Sequence, residues 1–172
     1  VHKLLIVTQT DPKAYRGITR FTNYDQLHDF ECGIAKFWDY EVPEMEMMQN
    51  LVNICIAGEK KTGALNNGAI VFEDTSNYLE NYVPPQLKTF LGNHRMYALD
   101  LFFTSHTLTD FPSVLRRRMS HYILKKTLDP FTGPADLKSL KYSNYANIYR
   151  AWVQIMNQPD RYEKIIVKTG HE

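Results

Sequence analysis

The sequence predicts an α/β fold with a mostly parallel β-sheet and helices on both faces. Apolar runs that are typical of buried strands alternate along the chain with helical patterns, and this alternation indicates strand–helix–strand units. Two of the apolar runs end abruptly in polar residues, one at Glu73 and one at Thr104. Buried parallel strands end in this way when their carboxyl ends open onto a polar site. We expect one domain over residues 1–172, of which 135–172 form a C-terminal helix and strand.

The first strand and the longest early helix follow from clear local patterns. Residues 3–8 form an apolar run that is closed by the turn signal Thr10-Asp11-Pro12, which predicts a buried strand. Over residues 44–57, apolar side chains recur at helical spacing, and Pro43 suits the first turn of a helix. This pattern predicts an amphipathic helix that packs against the core.

The other elements follow from shorter patterns of the same kind. Apolar runs bounded by turn residues predict strands, and mixed polar and apolar stretches predict helices. The predicted strands cover residues 34–40, 68–72, 98–105, 121–126 and 162–168. The predicted helices cover residues 24–30, 86–95 and 143–157, and one more begins at 110–112 and carries three arginines. A polar, glycine-punctuated stretch over 58–67 predicts a loop.

Composition places the chain among soluble globular domains. Its 172 residues are 44% hydrophobic, which argues against disorder, and the formal net charge of +1 leaves both nucleic acid and acidic partners open. No apolar stretch approaches the roughly 20 residues that span a bilayer. The two cysteines, Cys32 and Cys55, stand in apolar surroundings and are predicted to be buried thiols of a reducing compartment. We therefore expect a cytoplasmic protein.

Two adjacent carboxylates, Glu73 and Asp74, follow the apolar run that ends at Phe72. Nucleotide hydrolysis uses one carboxylate in the shell of a Mg²⁺ ion and a neighbouring group that polarises the attacking water. The pair is therefore a candidate for both roles. The alternative is a strand end capped by two solvated acids.

Thr104, Ser105 and His106 end the apolar strand that comes about thirty residues later. Polar side chains at such a strand end can hydrogen-bond a terminal phosphate or orient water, and His106 has the longest reach of the three. The alternative is a loop histidine beside hydroxyl groups that cap a strand.

A basic stretch holds Arg116, Arg117 and Arg118 and, a few residues later, Lys125 and Lys126. Guanidinium groups suit phosphate oxygens, and an arginine supplied across a subunit interface neutralises transition-state charge. Successive helical residues point in different directions, so at most two of the three arginines serve one site. The competing interpretations are a solvated helix face and a contact with the DNA backbone.

Several catalytic motifs are absent from the 172 residues. There is no G-x-x-x-x-G-K-[ST] phosphate-binding loop, and the nearest match, at 58–63, is followed by Ala64-Leu65 rather than by Lys and Ser/Thr. Zinc-ligand spacings, a G-x-S-x-G nucleophile elbow and a G-x-G-x-x-G fingerprint are also missing. The sequence therefore gives no support for a zinc enzyme or a nucleophile-elbow hydrolase.

The order of these elements resembles the RecA-like motor domain of the FtsK/HerA superfamily of P-loop ATPases. The resemblance is to viral genome-packaging ATPases and to zonular-occludens-toxin-like phage proteins in particular. Residues 68–74 resemble the Walker B strand, 101–112 the strand with a polar sensor, and 114–124 the arginine-bearing helix with the strand after it. Residues 4–7 resemble the strand that normally follows the P-loop helix. In all, the resemblance spans residues 3–126.

The resemblance implies an ATP-driven DNA translocase that works as a homo-oligomeric ring, with nucleotide at the subunit interfaces. Glu73 and Asp74 would serve Mg²⁺ and the attacking water, in the inverse of the commoner order of the two acids. The other implied roles are γ-phosphate contacts by Thr104, Ser105 and His106, a contact with the neighbouring site by Arg117 or Arg118, and DNA contacts by Arg116, Lys125 and Lys126.

A packaging motor would also meet a viral capsid or portal vertex, in the host cytoplasm or in the virion. Because the P-loop strand and helix are central to such a sheet, we expect them to precede Val1. The alternative is a different fold.

Three other functions stay open. The chain could be a non-catalytic α/β binding or assembly module whose acids and arginines are interface charges. It could be a phage morphogenesis or secretion factor that acts at a membrane. Finally, it could bind nucleic acid through its arginines and lysines without hydrolysing nucleotide.

Overall fold

A computed structural model describes residues 3–10, 15–57, 65–77, 79 and 83–169 of the chain. The chain divides into two compact units, Val1–Thr104 and Ser105–Glu172. Each unit is described by itself below.

The first unit is an α/β unit built on a five-stranded sheet. Its strands are β1 (Lys3–Val7), β2 (Thr19–Phe21), β3 (Gly33–Phe37), β4 (Gly68–Phe72) and β5 (Leu99–Phe103). Its helices are α1 (Asp25–His28), α2 (Glu44–Ile56) and α3 (Pro85–Asn93), with 3-10 turns at Thr75–Asn77 and His94–Tyr97. The strand order is β2-β3-β1-β4-β5, and every pairing is parallel. The predicted α/β class with a parallel sheet is confirmed.

One face of this sheet carries the core. Side chains alternate between the two faces of a strand, so Leu5 and Val7 of β1 share a face with Ile70 and Phe72 of β4. All four are fully buried. On the opposite face, Phe102 of β5 is 47% exposed. β5 is also an edge strand in the described part of the chain.

The second unit contains a two-stranded antiparallel sheet and three helices. Its strands are β6 (His121–Leu124) and β7 (Ile165–Lys168), and its helices are α4 (Ser113–Arg116), α5 (Pro134–Ser139) and α6 (Tyr145–Met156). Its core includes Tyr122, Leu137, Tyr142, Ile148 and Trp152. Helix α6 packs against α5 and β7.

Most predicted elements are confirmed, and the differences have local causes. The predicted strand over 34–40 ends at Phe37, because the Asp39 carboxylate accepts the N–H of Glu41 (2.9 Å) and turns the chain. Strand β2 and helix α5 were not predicted, since three and six residues are too few to show a periodic pattern.

The helix that was predicted to carry three arginines is shorter than expected. Pro112 caps its start and α4 ends at Arg116, so Arg117 is the residue after the helix and Arg118 lies outside it. The predicted helix is present, but the prediction that it carries all three arginines was wrong, because the chain turns into β6 within five residues of Arg116.

The two cysteines differ from each other. Cys55 is buried in α2, and burial raises the pKa of its thiol to about 12. Cys32 is exposed, so the prediction that both thiols are buried was wrong. No helix among the described residues has the length and apolar character that a membrane crossing requires.

Candidate functional site

Three neighbouring strands of the first unit end at the same edge of the sheet. Val7, Phe72 and Phe103 lie opposite one another as the last residues of β1, β4 and β5. The backbone pairing continues beyond them, since Glu73 donates its N–H to the carbonyl of Val7 (3.0 Å) and Thr104 donates its N–H to the carbonyl of Phe72 (2.9 Å). The polar residues after these strands are therefore neighbours in space, at the edge where α/β sheets bind ligands.

The Glu73 carboxylate is held by three hydroxyl groups, which we call the hydroxyl cluster: Thr8, Thr10 and Tyr15. Its Oε2 atom accepts hydrogen bonds from Thr8 (2.5 Å) and Thr10 (3.1 Å). Its Oε1 atom accepts one from the Tyr15 hydroxyl (2.6 Å). Both carboxylate oxygens are thus fixed by donors that lie 58 to 65 residues away in the sequence.

The hydroxyl cluster also sets the protonation state of Glu73. Partial burial alone would raise the pKa of the carboxyl group, but hydrogen bonds from Thr8, Tyr15 and Thr10 stabilise the carboxylate and lower the pKa below its ordinary value. Burial and the hydrogen bond to Glu73 raise the pKa of Tyr15 to about 12. At neutral pH, Glu73 is therefore an anion and Tyr15 is a neutral donor.

A buried lysine supports the hydroxyl cluster from β3. Lys36 is only 6% exposed, and its Nζ donates to the backbone carbonyl of Thr10 (3.3 Å). The same Nζ lies 5.9 Å from the centre of the Tyr15 ring, within the range of a cation–π interaction. Lys36 thus contacts two members of the cluster that holds Glu73.

Asp74 occupies a different environment from Glu73. Its backbone is in the left-handed region (φ 50°), and its N–H donates to the Oγ1 atom of Thr104 (3.1 Å). The next amide, that of Thr75, donates to the carbonyl of Thr104 (2.9 Å). The chain therefore turns sharply after β4 and is fastened to the end of β5.

The other predicted site residues lie in the second unit. Ser105 donates to the Asp110 carboxylate (3.4 Å), and His106 is exposed. The Nε atom of Arg117 donates to the carbonyl of Ser113 (3.3 Å). The side chains of Arg117, Arg118, Lys125 and Lys126 are exposed. The structure brings together Glu73, Asp74 and Thr104 of the predicted set, and the roles implied for the second-unit residues stay predictions.

Arg116 differs from the residues around it because its side chain is 9% exposed. Its guanidinium lies 5.4 Å from the centre of the Tyr142 ring, and its carbonyl accepts the hydroxyl of Tyr122 (2.5 Å). The Nε and Nη1 atoms are buried and have no hydrogen-bond partner among the described residues. Burial thus withdraws Arg116 from the exposed basic surface that the sequence predicts.

Four residues of the site were not predicted from the sequence: Thr8, Thr10, Tyr15 and Lys36. Thr8 and Thr10 carried a usable signal, because hydroxyl residues follow β1 just as acids follow β4. Tyr15 and Lys36 carried none, since Tyr15 lies outside the strands and Lys36 lies within a largely apolar strand. The near match to a phosphate-binding loop at 58–63 lies outside the described residues.

The site offers oxygen ligands rather than a complete metal cage. Among the described residues, no group of three or more His, Cys, Asp or Glu side chains could hold a metal ion. The adjacent carboxylates of Glu73 and Asp74 do follow β4 at this edge of the sheet. That donor set suits Mg²⁺, which takes one or two carboxylates and completes its shell with water and phosphate oxygens.

Comparison with known proteins supports the fold. No family model matches the sequence, and no curated protein is significantly similar to it. Solved structures do match, and the chain has the α/β fold of viral genome-packaging NTPases.

Several of the matched structures are of the protein B204. The genome-packaging NTPase B204 of Sulfolobus turreted icosahedral virus 2, in complex with ATP-gammaS, matches with a TM-score of 0.71 at 12% identity, over 98% of this chain and 77% of B204. The complex of the same protein with AMP gives the same TM-score and identity, over 98% of this chain and 78% of B204. B204 of Sulfolobus turreted icosahedral virus, a DNA-packaging ATPase, matches with a TM-score of 0.61 at 13% identity, over 98% and 92%.

Proposed function

We propose that this protein hydrolyses ATP and uses the energy to move DNA, as a viral genome-packaging motor. The observation that carries the proposal is the Glu73 carboxylate, which is fixed as an anion by three hydroxyl groups at the carboxyl edge of a parallel sheet. The fold adds support, because B204 structures with the same fold contain ATP-gammaS, AMP and AMPPCP.

The two acids take different roles in this proposal. Glu73 is held in one orientation and its pKa is lowered, so it suits a group that orients the attacking water rather than a base that removes its proton. Asp74 supplies the carboxylate for Mg²⁺, an ion that neutralises charge on the phosphates when it is bound. Thr104 fixes the turn at Asp74 through the hydrogen bond to its amide. Loss of the Glu73 carboxylate should therefore lower the rate of hydrolysis. Loss of the Asp74 carboxylate should change the dependence of hydrolysis on Mg²⁺.

The motor function extends the proposal to partners. Residues 1–172 would act as one domain of a homo-oligomeric ring, and Lys125 and Lys126, which are exposed, would contact DNA phosphates with little sequence preference. In that setting His106 would sense the γ-phosphate, and Arg117 or Arg118 would act on the nucleotide of a neighbouring subunit. A capsid or portal vertex in the host cytoplasm or virion would be the docking partner.

Nucleotide binding tests the proposal first. The experiment measures binding of ATP-gammaS, with and without Mg²⁺, and ATP hydrolysis by the complete gene product, whose intact mass is compared with the 20.1 kDa of these residues. We expect saturable binding and hydrolysis that double-stranded DNA stimulates. A cooperatively folded protein that binds no nucleotide would overturn the proposal and favour the non-catalytic binding module. One observation favours the non-catalytic binding module: the 172 residues hold no G-x-x-x-x-G-K-[ST] sequence.

DNA binding is tested separately with a charge variant. The double substitution Lys125→Gln and Lys126→Gln should weaken DNA binding and flatten its dependence on salt, because each lost phosphate contact lowers the logarithmic slope by about 1. Lys164→Gln is the matched control, since Lys164 is also exposed in the second unit. If DNA binding by both variants showed the same dependence on salt, Lys125 and Lys126 would not be DNA contacts.

A further inference from the structure

The hydroxyl cluster has a defined direction of hydrogen bonding. The backbone N–H of Thr10 donates to the Oγ1 atom of Thr8 (2.9 Å), so Thr8 accepts there and its single hydroxyl proton is available for Glu73. The Thr8 hydroxyl also lies within donor distance of the Thr10 hydroxyl (2.9 Å), but its bond to the anionic Oε2 atom of Glu73 is the shorter one (2.5 Å). The Thr10 hydroxyl donates to the same Oε2 atom (3.1 Å). Both threonines therefore point donors at the Oε2 atom, while Tyr15 occupies the Oε1 atom.

The cluster is anchored on strands β1 and β3. Thr8 is 3% exposed and directly follows β1, and its N–H donates to the carbonyl of Phe37 (3.2 Å). Lys36 of β3 holds the carbonyl of Thr10 and lies beside the Tyr15 ring. Rigid strands therefore fix the donors, and the donors fix the carboxylate.

We propose that Thr8 and Tyr15 are positioning residues for Glu73, which orient its carboxylate for the hydrolysis step without contacting the nucleotide. The inference rests on the proposed function. A carboxylate on a flexible side chain samples several rotamers, and misplacement by about 1 Å can cost roughly 100-fold in rate. Donors on both oxygens remove that freedom before substrate binds.

The proposal makes turnover, and not nucleotide binding, sensitive to the hydroxyl groups. Tyr15→Phe removes one donor and keeps the ring, and Thr8→Val removes the other and keeps the side-chain shape. Both should lower kcat by about 10- to 100-fold, while KM for ATP and the dissociation constant of ATP-gammaS stay unchanged. Thr8→Ser keeps a hydroxyl donor and should restore most of the turnover.

Tyr24→Phe is the matched control. Tyr24 is also a partly buried tyrosine of the first unit, and its hydroxyl accepts a hydrogen bond from Asn50 rather than contacting Glu73. We expect wild-type kcat from this variant. If Thr8→Val fails to fold, the comparison of Tyr15→Phe with Tyr24→Phe still decides the role of the donor on Oε1.

The outcomes separate this inference from the function on which it rests. Wild-type kcat in Tyr15→Phe and Thr8→Val, or equal losses in Thr8→Ser and Thr8→Val, would overturn the positioning role and leave the ATPase proposal intact. A rise in KM with unchanged kcat would also overturn the positioning role, because that result would assign the hydroxyl groups to nucleotide binding. Absence of hydrolysis in the wild-type protein would instead overturn the proposed function, and the positioning role with it.

Discussion

The backbone N–H of Asp74 donates a hydrogen bond to the Oγ1 atom of Thr104 at 3.1 Å. The bond joins the ends of β4 and β5, which are thirty residues apart in the sequence. It also holds Asp74 in the left-handed conformation that turns the chain after β4. The two strand ends that the sequence marks as polar are therefore physically linked.

Loss of the Thr104 hydroxyl should destabilise the first unit. Thr104→Val leaves the Asp74 amide without this acceptor, and we expect the free energy of unfolding to fall by about 1 kcal/mol. Thr104→Ser keeps the acceptor and should stay close to wild type. Chemical denaturation of both variants measures the difference, and equal stability of the Val and Thr proteins would show that water replaces the bond without loss.

The left-handed backbone at Asp74 predicts a second pattern of stability. Asn tolerates that conformation almost as well as Asp, whereas a β-branched residue does not. Asp74→Asn should therefore keep wild-type stability, and Asp74→Val should lower the free energy of unfolding by about 1 to 2 kcal/mol. Thermal unfolding of the two variants checks the order, which would be wrong if Val proved as stable as Asn.

Asp136 predicts a pH dependence in the second unit. Its carboxylate accepts the N–H groups of Thr132 (2.8 Å) and Gly133 (3.1 Å), and these bonds lower its pKa. A carboxyl group with a lowered pKa in the folded state stabilises the fold above its unfolded pKa, and that contribution is lost as the pH falls through the folded value. The stability advantage of wild type over Asp136→Asn should therefore be greatest near neutral pH and shrink in acid. A difference that is constant with pH, measured by urea unfolding, would contradict this.

The buried guanidinium of Arg116 predicts a stabilising substitution. Two of its nitrogens are buried without a partner among the described residues, and such groups cost stability. Its interaction with the Tyr142 ring offsets part of that cost. We expect Arg116→Met to raise the free energy of unfolding by about 1 kcal/mol. A less stable Met variant in chemical denaturation would show that the charge is compensated in the folded protein.

Local patterns predicted much of the first unit. The apolar runs that end at Val7 and Phe72 form adjacent parallel strands, and the helical spacing after Pro43 gives α2. The polar strand ends at Glu73 and Thr104 were predicted as one site, and the structure places them together. These features could be predicted because the periodicity and the ends of a strand or helix are visible in the sequence.

The contact of Tyr15 with Glu73 could not be predicted in this way. Tyr15 lies 58 residues from Glu73 in the sequence and outside the strands, and tertiary packing brings the two together. Burial of Arg116 was equally hidden, since it depends on Tyr122 and Tyr142, which come from later in the chain. Both features depend on tertiary packing, for which one sequence carries no periodic signal.

The most direct test of the account is ATP hydrolysis by a Glu73→Gln variant of the complete gene product. Gln has nearly the same shape as Glu, but its amide nitrogen cannot accept hydrogen bonds from the hydroxyl cluster, so the side chain loses its fixed orientation. We therefore expect kcat to fall by about 100-fold or more while ATP-gammaS still binds. Glu31→Gln is the matched control, since Glu31 is an exposed acid of the same unit. Hydrolysis at the wild-type rate by Glu73→Gln would show that this carboxylate forms no part of the hydrolytic site.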